Sequence, residues 1–376
     1  GISQDTVIWA NAELAADPMV LFVVADGMES LAMNVSGPSI FVNTFWTPGY
    51  DGGIFDPAIC DTGVDTSHPG LDDDTVNPRT WTSGVFHTAA SGESNYNDNS
   101  SSTDDLQGHG THVAGTVLAS SATYRGIAFG CDLGINLKAG YRNTSGNGSF
   151  VRSDVRAAMD WGAAHDPEAV NYSAGAYIST DDNESSYFFD AYTEAKYCTT
   201  VAAAGNDGSD GAEHLSSPGI AYNAICVANM NDKGTTNRSD DSISGSSSIG
   251  PTIGGRKKPD IAAPGSSIMS CNNNWEGTTN DDYVNKSGTS MASPHITGAT
   301  MLLNEVQVTD PREVKAVLIN TADDWGTAGW DAYYGWGYVN LDRAYLHRHD
   351  AFISSVTPRN QSGDYKLYKT TGMDSG

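Results

Sequence analysis

Three features of the sequence predict an α/β fold whose mostly parallel central sheet is covered by helices on both faces. Short apolar strands alternate with helical patterns through most of the chain, as they do where parallel strands are joined by helical crossovers. A buried strand, FDPAICD, ends on a carboxylate at Asp61, and functional side chains of open α/β sheets gather at the carboxyl ends of strands. Gly288 then frees the backbone just before Ser290 opens a helix, so the serine hydroxyl sits beside the orphan N–H donors of a helix N-terminus.

At 376 residues, 39% of them hydrophobic, the chain can bury one large core with a small appendage. No apolar run approaches the roughly 18 residues of a membrane span. Gly1 is no translational start, so any targeting signal is expected to have been lost already. Asp and Glu outnumber Lys and Arg 46 to 20, a formal charge of −26 that argues against nucleic acid or membrane as partners. Such a surface suits a secreted protein. The five cysteines (Cys60, Cys131, Cys198, Cys226, Cys271) form neither a C-x-x-C pair nor a dense disulfide framework. Cys198 and Cys226 each lie in an apolar run expected to be a neighbouring strand, and they are the expected disulfide.

Taken in order, residues 11–26 (NAELAADPMVLFVVAD) give a short helical pattern, an Asp-Pro turn and an apolar strand. A helix is expected near Phe45 and Trp46, then the strand ending at Asp61. Residues 72–107 are polar, with too little apolar content for a domain. His109 meets the first turn of a small-residue helix in which Gly110, Ala114 and Gly115 permit close packing, and this helix is expected to pass from Ala119 to Ile127. GIAFGCDLGINLKAG leads away as a strand, and SFVRSDVRAAMDWGAAH is an amphipathic helix with Val155, Ala158, Met159 and Ala163 along one stripe. The strand PEAVNYSAGA, the helix SSYFFDAYTEAKY and the strand CTTVAAAGN follow. From Ser290 a helix runs through Leu303, with Pro294 expected in its first turn, where a missing N–H costs little, and REVKAVLINTA forms another. The tail after 348 alternates like the first strands of a β-sandwich.

The octapeptide Gly288–His295 (GTSMASPH) resembles the nucleophile motif of subtilisin-like serine proteases. Asp61-Thr62-Gly63-Val64-Asp65 with His68-Pro69, and Gly108-His109-Gly110-Thr111-His112, are similar to that family's acid and base segments, in its Asp, His, Ser order. The resemblance runs from Ser39 to Leu346. It implies a subtilisin-like three-layer fold, with a catalytic domain over 35–348, a propeptide-like remnant or N-terminal extension over 1–34, and a C-terminal tail over 349–376. It also implies a serine endopeptidase acting through an acyl-enzyme. Ser290 would be the nucleophile, His109 the base, Asp61 the acid that orients it and Asn206 the oxyanion donor, while His112 would be structural. By the same resemblance Ser173, Ala174 and Gly175 bind substrate backbone. Ala203, Ala204 and Gly205 make one wall of a pocket for apolar P1 side chains, with Asp207 at its rim.

Further implications are protein or peptide substrates, the chain's own propeptide as inhibitor and chaperone of a zymogen, secretion, and a monomer. The loop Asn95–Asp105 concentrates oxygen ligands, and its spacing to His109 resembles a calcium loop of thermitase-like members. Structural Ca²⁺ is therefore expected there, on Asp98 and Asp104. The helix after His109 lacks the Asn or Asp ligands of another calcium loop found in many members. The same fold could instead serve a peptide ligase or macrocyclase, or a silent binding module.

Overall fold

Asp61 lies on the first of eight strands in the central sheet. The strands are β1 (Pro57–Asp61), β2 (Thr80–Val85), β3 (Leu133–Lys138), β4 (Ala169–Tyr172), β5 (Thr199–Ala203), β6 (Ile225–Asn231), β7 (Ser242–Ile243) and β8 (Ile261–Pro264). In the computed structural model, which describes residues 33–71, 80–86, 102–273 and 283–350, they lie in the order β7-β6-β5-β4-β1-β3-β2, with β8 also paired to β6. Every pairing is parallel except β6 with the short β7. The expected parallel sheet is therefore present. The readings made for residues 1–32, 95–101 (including Asp98) and 351–376 lie outside the described residues.

Burial on both faces explains why the strands read as continuous apolar runs. All of β1 is buried, and its side chains alternate. Ile59 joins Val113, Val117 and Met291 on one face, while Ala58 and Cys60 join Leu137, Val155 and Met159 on the other. The helices are α1 (His109–Leu118), α2 (Arg152–Gly162), α3 (Glu184–Lys196), α4 (Thr289–Glu305) and α5 (Pro311–Thr321), with short helical segments at Met33–Ser39, Asn43–Trp46 and Leu341–Leu346. Helix α4 packs across β4, β5, β6 and β8, and α1 packs on α4 and β1. Helix α4 is buried almost all round, so its sequence is small and apolar with little amphipathic contrast. On the opposite face α2 buries Val155, Ala158 and Met159 as expected, while Ala163 falls in the 3-10 turn that follows. No helix among the described residues is long and apolar enough to cross a membrane.

Two sequence expectations fail here. Helix α1 ends at Leu118 and does not continue to Ile127. Its last-turn carbonyls on Thr116 and Val117 accept from the N–H groups of Ile127 and Ala128 at 3.0 and 2.8 Å, so the chain doubles back and caps the helix. The Cys198–Cys226 disulfide is also absent, and all five cysteines are buried free thiols. Strands β5 and β6 are indeed neighbours, but the residue opposite Cys226 is Ala202. Cys198 precedes that residue by four positions, ~13 Å along a strand, well beyond the reach of a disulfide.

Candidate active site

The predicted acid and base meet. Asp61 Oδ1, at the end of β1, accepts hydrogen bonds from Thr62 N and from His109 Nδ1, both at 2.8 Å. Donation from Nδ1 leaves the Nε2 lone pair for the cleft, toward which the His109 side chain stays 23% exposed, whereas the Asp61 side chain is fully buried. Burial pushes the His109 imidazolium down, but the Asp61 charge and hydrogen bond outweigh it, and the group is held above its usual value. Close approach of α1 to β1 makes the contact possible: a Cβ on Gly110 would lie 2.1 Å from Gly63 O.

A residue that the sequence reading had placed only in a calcium loop organises this junction. The fully buried Asp105 accepts at Oδ1 from Thr62 Oγ1, Gln107 N and Gly108 N, and at Oδ2 from Thr111 N and Thr111 Oγ1. It thus caps α1 from outside the helix and ties the residue after Asp61 to the turn that carries His109. The spacing Asp-x-x-Gly-His is the signal that could have shown it.

Ser290 is the second residue of α4. It follows Gly288 at φ 150° and ψ 167°, a conformation that disfavours any residue with a Cβ. Pro294 is the sixth helical residue, not part of the first turn, so the expectation for it was one turn too early. Having no N–H, it cannot donate to Ser290 O. Ser173 Oγ donates to that carbonyl in its place at 2.8 Å, and Ser290 Oγ in turn donates to Ser173 O at 2.8 Å. Behind Ser173, Asn171 Nδ2 donates to its hydroxyl at 2.8 Å, and Thr297 Oγ1 donates to Asn171 Oδ1 at 2.9 Å. Asn171 and Thr297 were not singled out from sequence, since their role depends on β4 lying against α4. Because the Ser290 hydroxyl has a single proton, it must leave Ser173 O before it can donate to His109 Nε2.

Asn206 lies across the same cleft. Its Oδ1 accepts from Thr289 N at 2.9 Å and from Thr289 Oγ1 at 3.1 Å. The amide oxygen is fixed by the start of α4, which leaves Nδ2 as a donor facing the opening. The cleft, of about 330 Å³, is lined by His109, Ser290, Asn206, Ser173, Ala174, Gly175, Ala203, Gly205, Asp207 and Ser216. Ala204 does not line it. Ala204, one residue past the end of β5, packs instead into a small core with Leu215, Ile220 and Cys226.

Two of the other motif histidines, His112 and His295, are buried and bonded within the structure. His112 Nε2 meets Ile268 O and Val284 O at 2.9 and 3.0 Å, and burial pushes its charged form down to about 3. His295 bridges Met291 O and Ser36 Oγ, and burial pushes it down to about 4.

Of the predicted metal ligands only Asp104 lies among the described residues. Burial, and then the charge of Asp65, hold its carboxyl above the usual range. Two carbonyls in the described part of the loop already have protein donors: Lys138 Nζ reaches Asp104 O at 2.5 Å, and Asn136 Nδ2 reaches Thr103 O at 3.0 Å.

The family model described as the subtilase family matches residues 58–337. Thermitase of Thermoactinomyces vulgaris is 30% identical over 289 residues, which are 76% of this chain and 87% of thermitase. Serine protease AprX of Bacillus subtilis (strain 168) is 32% identical over 64% of this chain, and a subtilisin of Bacillus sp. (strain TA39) is 34% identical over 69%. The chain spans only 58% and 59% of those last two proteins. Among solved structures, the prenylagaramide maturation protease PagA superposes with a TM-score of 0.62 at 22% identity, covering 83% of this chain and 99% of that one. At that identity the likeness concerns the fold.

Proposed function

The chain belongs to the subtilase family, and from that premise we propose that it is a serine endopeptidase cleaving peptide bonds through an acyl-enzyme. The observation that carries the reading is the 2.8 Å Asp61–His109 contact on a cleft that also holds Ser290 and the outward amide of Asn206. Ser290 Oγ attacks the scissile carbonyl carbon while His109 Nε2 takes its proton. Asp61 holds the other ring nitrogen in its N–H form and stabilises the imidazolium. Asn206 Nδ2, with the first-turn N–H of Ser290, donates to the oxyanion. His109 then gives its proton to the leaving amine, and a water deprotonated by His109 releases the acyl group.

Peptide backbone is bound along Ser173, Ala174 and Gly175. The P1 side chain enters between Ala203, Gly205 and Ser216, where small residues leave room for apolar groups, and Asp207 at the rim also accepts Lys or Arg. The acidic chain acts outside the cell as a monomer, with its own propeptide as inhibitor and folding aid. Casein clearing that a serine-directed covalent inhibitor abolishes is the expected result. Inhibitor labelling without hydrolysis would replace this reading with acyl transfer to an amine.

Calcium belongs to the same proposal. Asp104, a carboxylate crowded by burial and by Asp65, would gain from a cation, and Asp98 would share it. When bound, the ion supplies charge neutralisation that orders the approach to His109. A melting temperature raised by calcium in the wild type, and not in Asp98→Ala/Asp104→Ala, is expected; an equal response in both would move the ion elsewhere.

A further inference from the structure

Beside the cleft opens a second pocket of about 220 Å³, continuous with it through Gly148, Phe150, Gly175 and Ala176. Its floor is aromatic, but Arg152 and Arg156 also line it. These arginines are four residues apart on α2 and so share one face of its first turns. In a chain with only 20 Lys and Arg against 46 Asp and Glu, two guanidinium groups on one pocket invert the prevailing sign of charge.

Among the described residues Glu184 is the carboxylate ion-paired with them, its charge also acts on Arg152, and Asp154 lies in the same helical turn. Arg156 Nη1 pairs with Glu184, and its guanidinium lies 5.6 Å from the Phe188 ring centre. Arg152 is exposed and makes no ion pair among the described residues. Helix α2 also begins here without a side-chain cap on its N-cap residue Val151, so its first-turn N–H groups add to the positive potential.

We propose that this pocket is a specificity-determining subsite that takes an Asp or Glu side chain of the peptide substrate, with Arg152 as its carboxylate ligand. The register follows from the chain. Ser173 is bonded to Ser290, and the segment from Ser173 reaches the pocket at Gly175 and Ala176, a run of ~10 Å at the rise of an extended chain. An extended substrate lying along that segment therefore places a side chain in the pocket about three residues from the scissile bond. The side is the acyl side, since Ser216 lines the P1 cleft while its neighbour Ser217 lines this pocket. A carboxylate there meets a planar two-pronged donor that forms no ion pair among the described residues, whereas an amide of the same shape accepts from the guanidinium without the attraction of opposite charges.

The inference rests on the endopeptidase reading for its register, and the test separates the two. Peptides carrying Glu, Gln, Phe or Lys at each of the second to fifth positions before the scissile bond are measured in two ways: for kcat/KM with the active protein, and for binding by fluorescence anisotropy to Ser290→Ala. At one position in the third to fifth range Glu is expected to exceed Gln by about tenfold, the size of one charge-assisted hydrogen bond, and to lose part of that advantage in added salt. The Glu-to-Gln ratio is expected to collapse toward one in Arg152→Gln, to favour Lys in Arg152→Glu, and to rise in Glu184→Gln as Arg156 is released. A wild-type ratio of one at every position, a preference for Phe over Glu at each, or a ratio untouched by Arg152→Gln overturns the subsite while leaving peptide cleavage standing. A binding ratio that persists in a protein cleaving no peptide would instead sink the endopeptidase reading alone.

Discussion

Pro294 and Ser173 should be coupled in a way that stability measurements can read. In α4 the proline denies Ser290 O its helical donor, and Ser173 Oγ supplies the replacement at 2.8 Å while accepting from Asn171 Nδ2 at 2.8 Å. Ser173→Ala strips both contacts, leaving a carbonyl and the buried Asn171 amide without these partners. Each unmade buried bond costs about 1–3 kcal/mol, and Ser290 O is only part-buried, so the substitution is expected to destabilise by about 2–4 kcal/mol. Pro294→Ala restores an N–H that can donate to Ser290 O. In that background Ser173→Ala should cost less by about 1 kcal/mol, the net worth of one hydrogen bond. The cycle is measured by urea unfolding with Ser290→Ala in all four proteins, which removes autolysis and keeps the backbone carbonyl concerned. An identical Ser173→Ala cost in both backgrounds would refute the account of why a proline is tolerated inside this helix.

Other consequences follow from the same geometry. Asn206→Ala is expected to lower kcat about 10²–10³-fold, a range carried over from subtilisin, and to cost some stability because Thr289 loses the acceptor of two hydrogen bonds. Asn206→Asp keeps that acceptor and loses the donor, so a kcat within threefold of wild type in Asn206→Asp would end the oxyanion assignment. In the proposed mechanism neutral His109 is the base, and Asp61 holds its protonated form above the usual value, so kcat/KM should fall as pH drops through a value above about 6.5. In Asp61→Asn burial is unopposed and the acid limb should move to lower pH while kcat collapses; an unmoved limb in the pH–rate profile counts against the pair. Burial, helped by the Asp241 charge, raises the Asp232 carboxyl to about 6, so the folded state holds a proton that the unfolded chain releases, and stability falls as pH rises from about 4 to 6. Asp232→Asn, which keeps an acceptor for Gly234 N, should raise Tm at pH 8 and leave it unchanged near pH 3.5; equal effects at both would exclude the charge as the cause. Thiol titration in denaturant without reductant should count five, with none reactive in the native protein, where burial lifts Cys226 to about 12; a count of three would restore a disulfide.

What the sequence determined by itself was local or periodic. Alternating strands and helices fixed the sheet's parallel character, and the stripe Val155, Ala158, Met159 fixed the buried face of α2. Gly110 and Gly288 mark places where backbone must come close or turn as residues with a Cβ seldom can, so the motifs around His109 and Ser290 were legible from residue type. Tertiary structure decided whatever depended on register and approach between distant segments. Cys226 lies on β6 and Cys198 immediately before the adjacent β5, yet a four-residue offset parts them, and register is a property of two strands that neither sequence states. Ala204 faces the core although its neighbours line the cleft, because the direction a residue takes just past a strand's end is set by what packs behind it. Asp105 reads as one acid in a polar loop, and only folding places its oxygens between Thr62 and the N–H groups that open α1. The same holds for Arg152 and Arg156: their spacing is visible in sequence, but the pocket they line is formed by β-strand, loop and helix segments that meet only in the folded chain, where an apolar lining and two guanidinium groups come together.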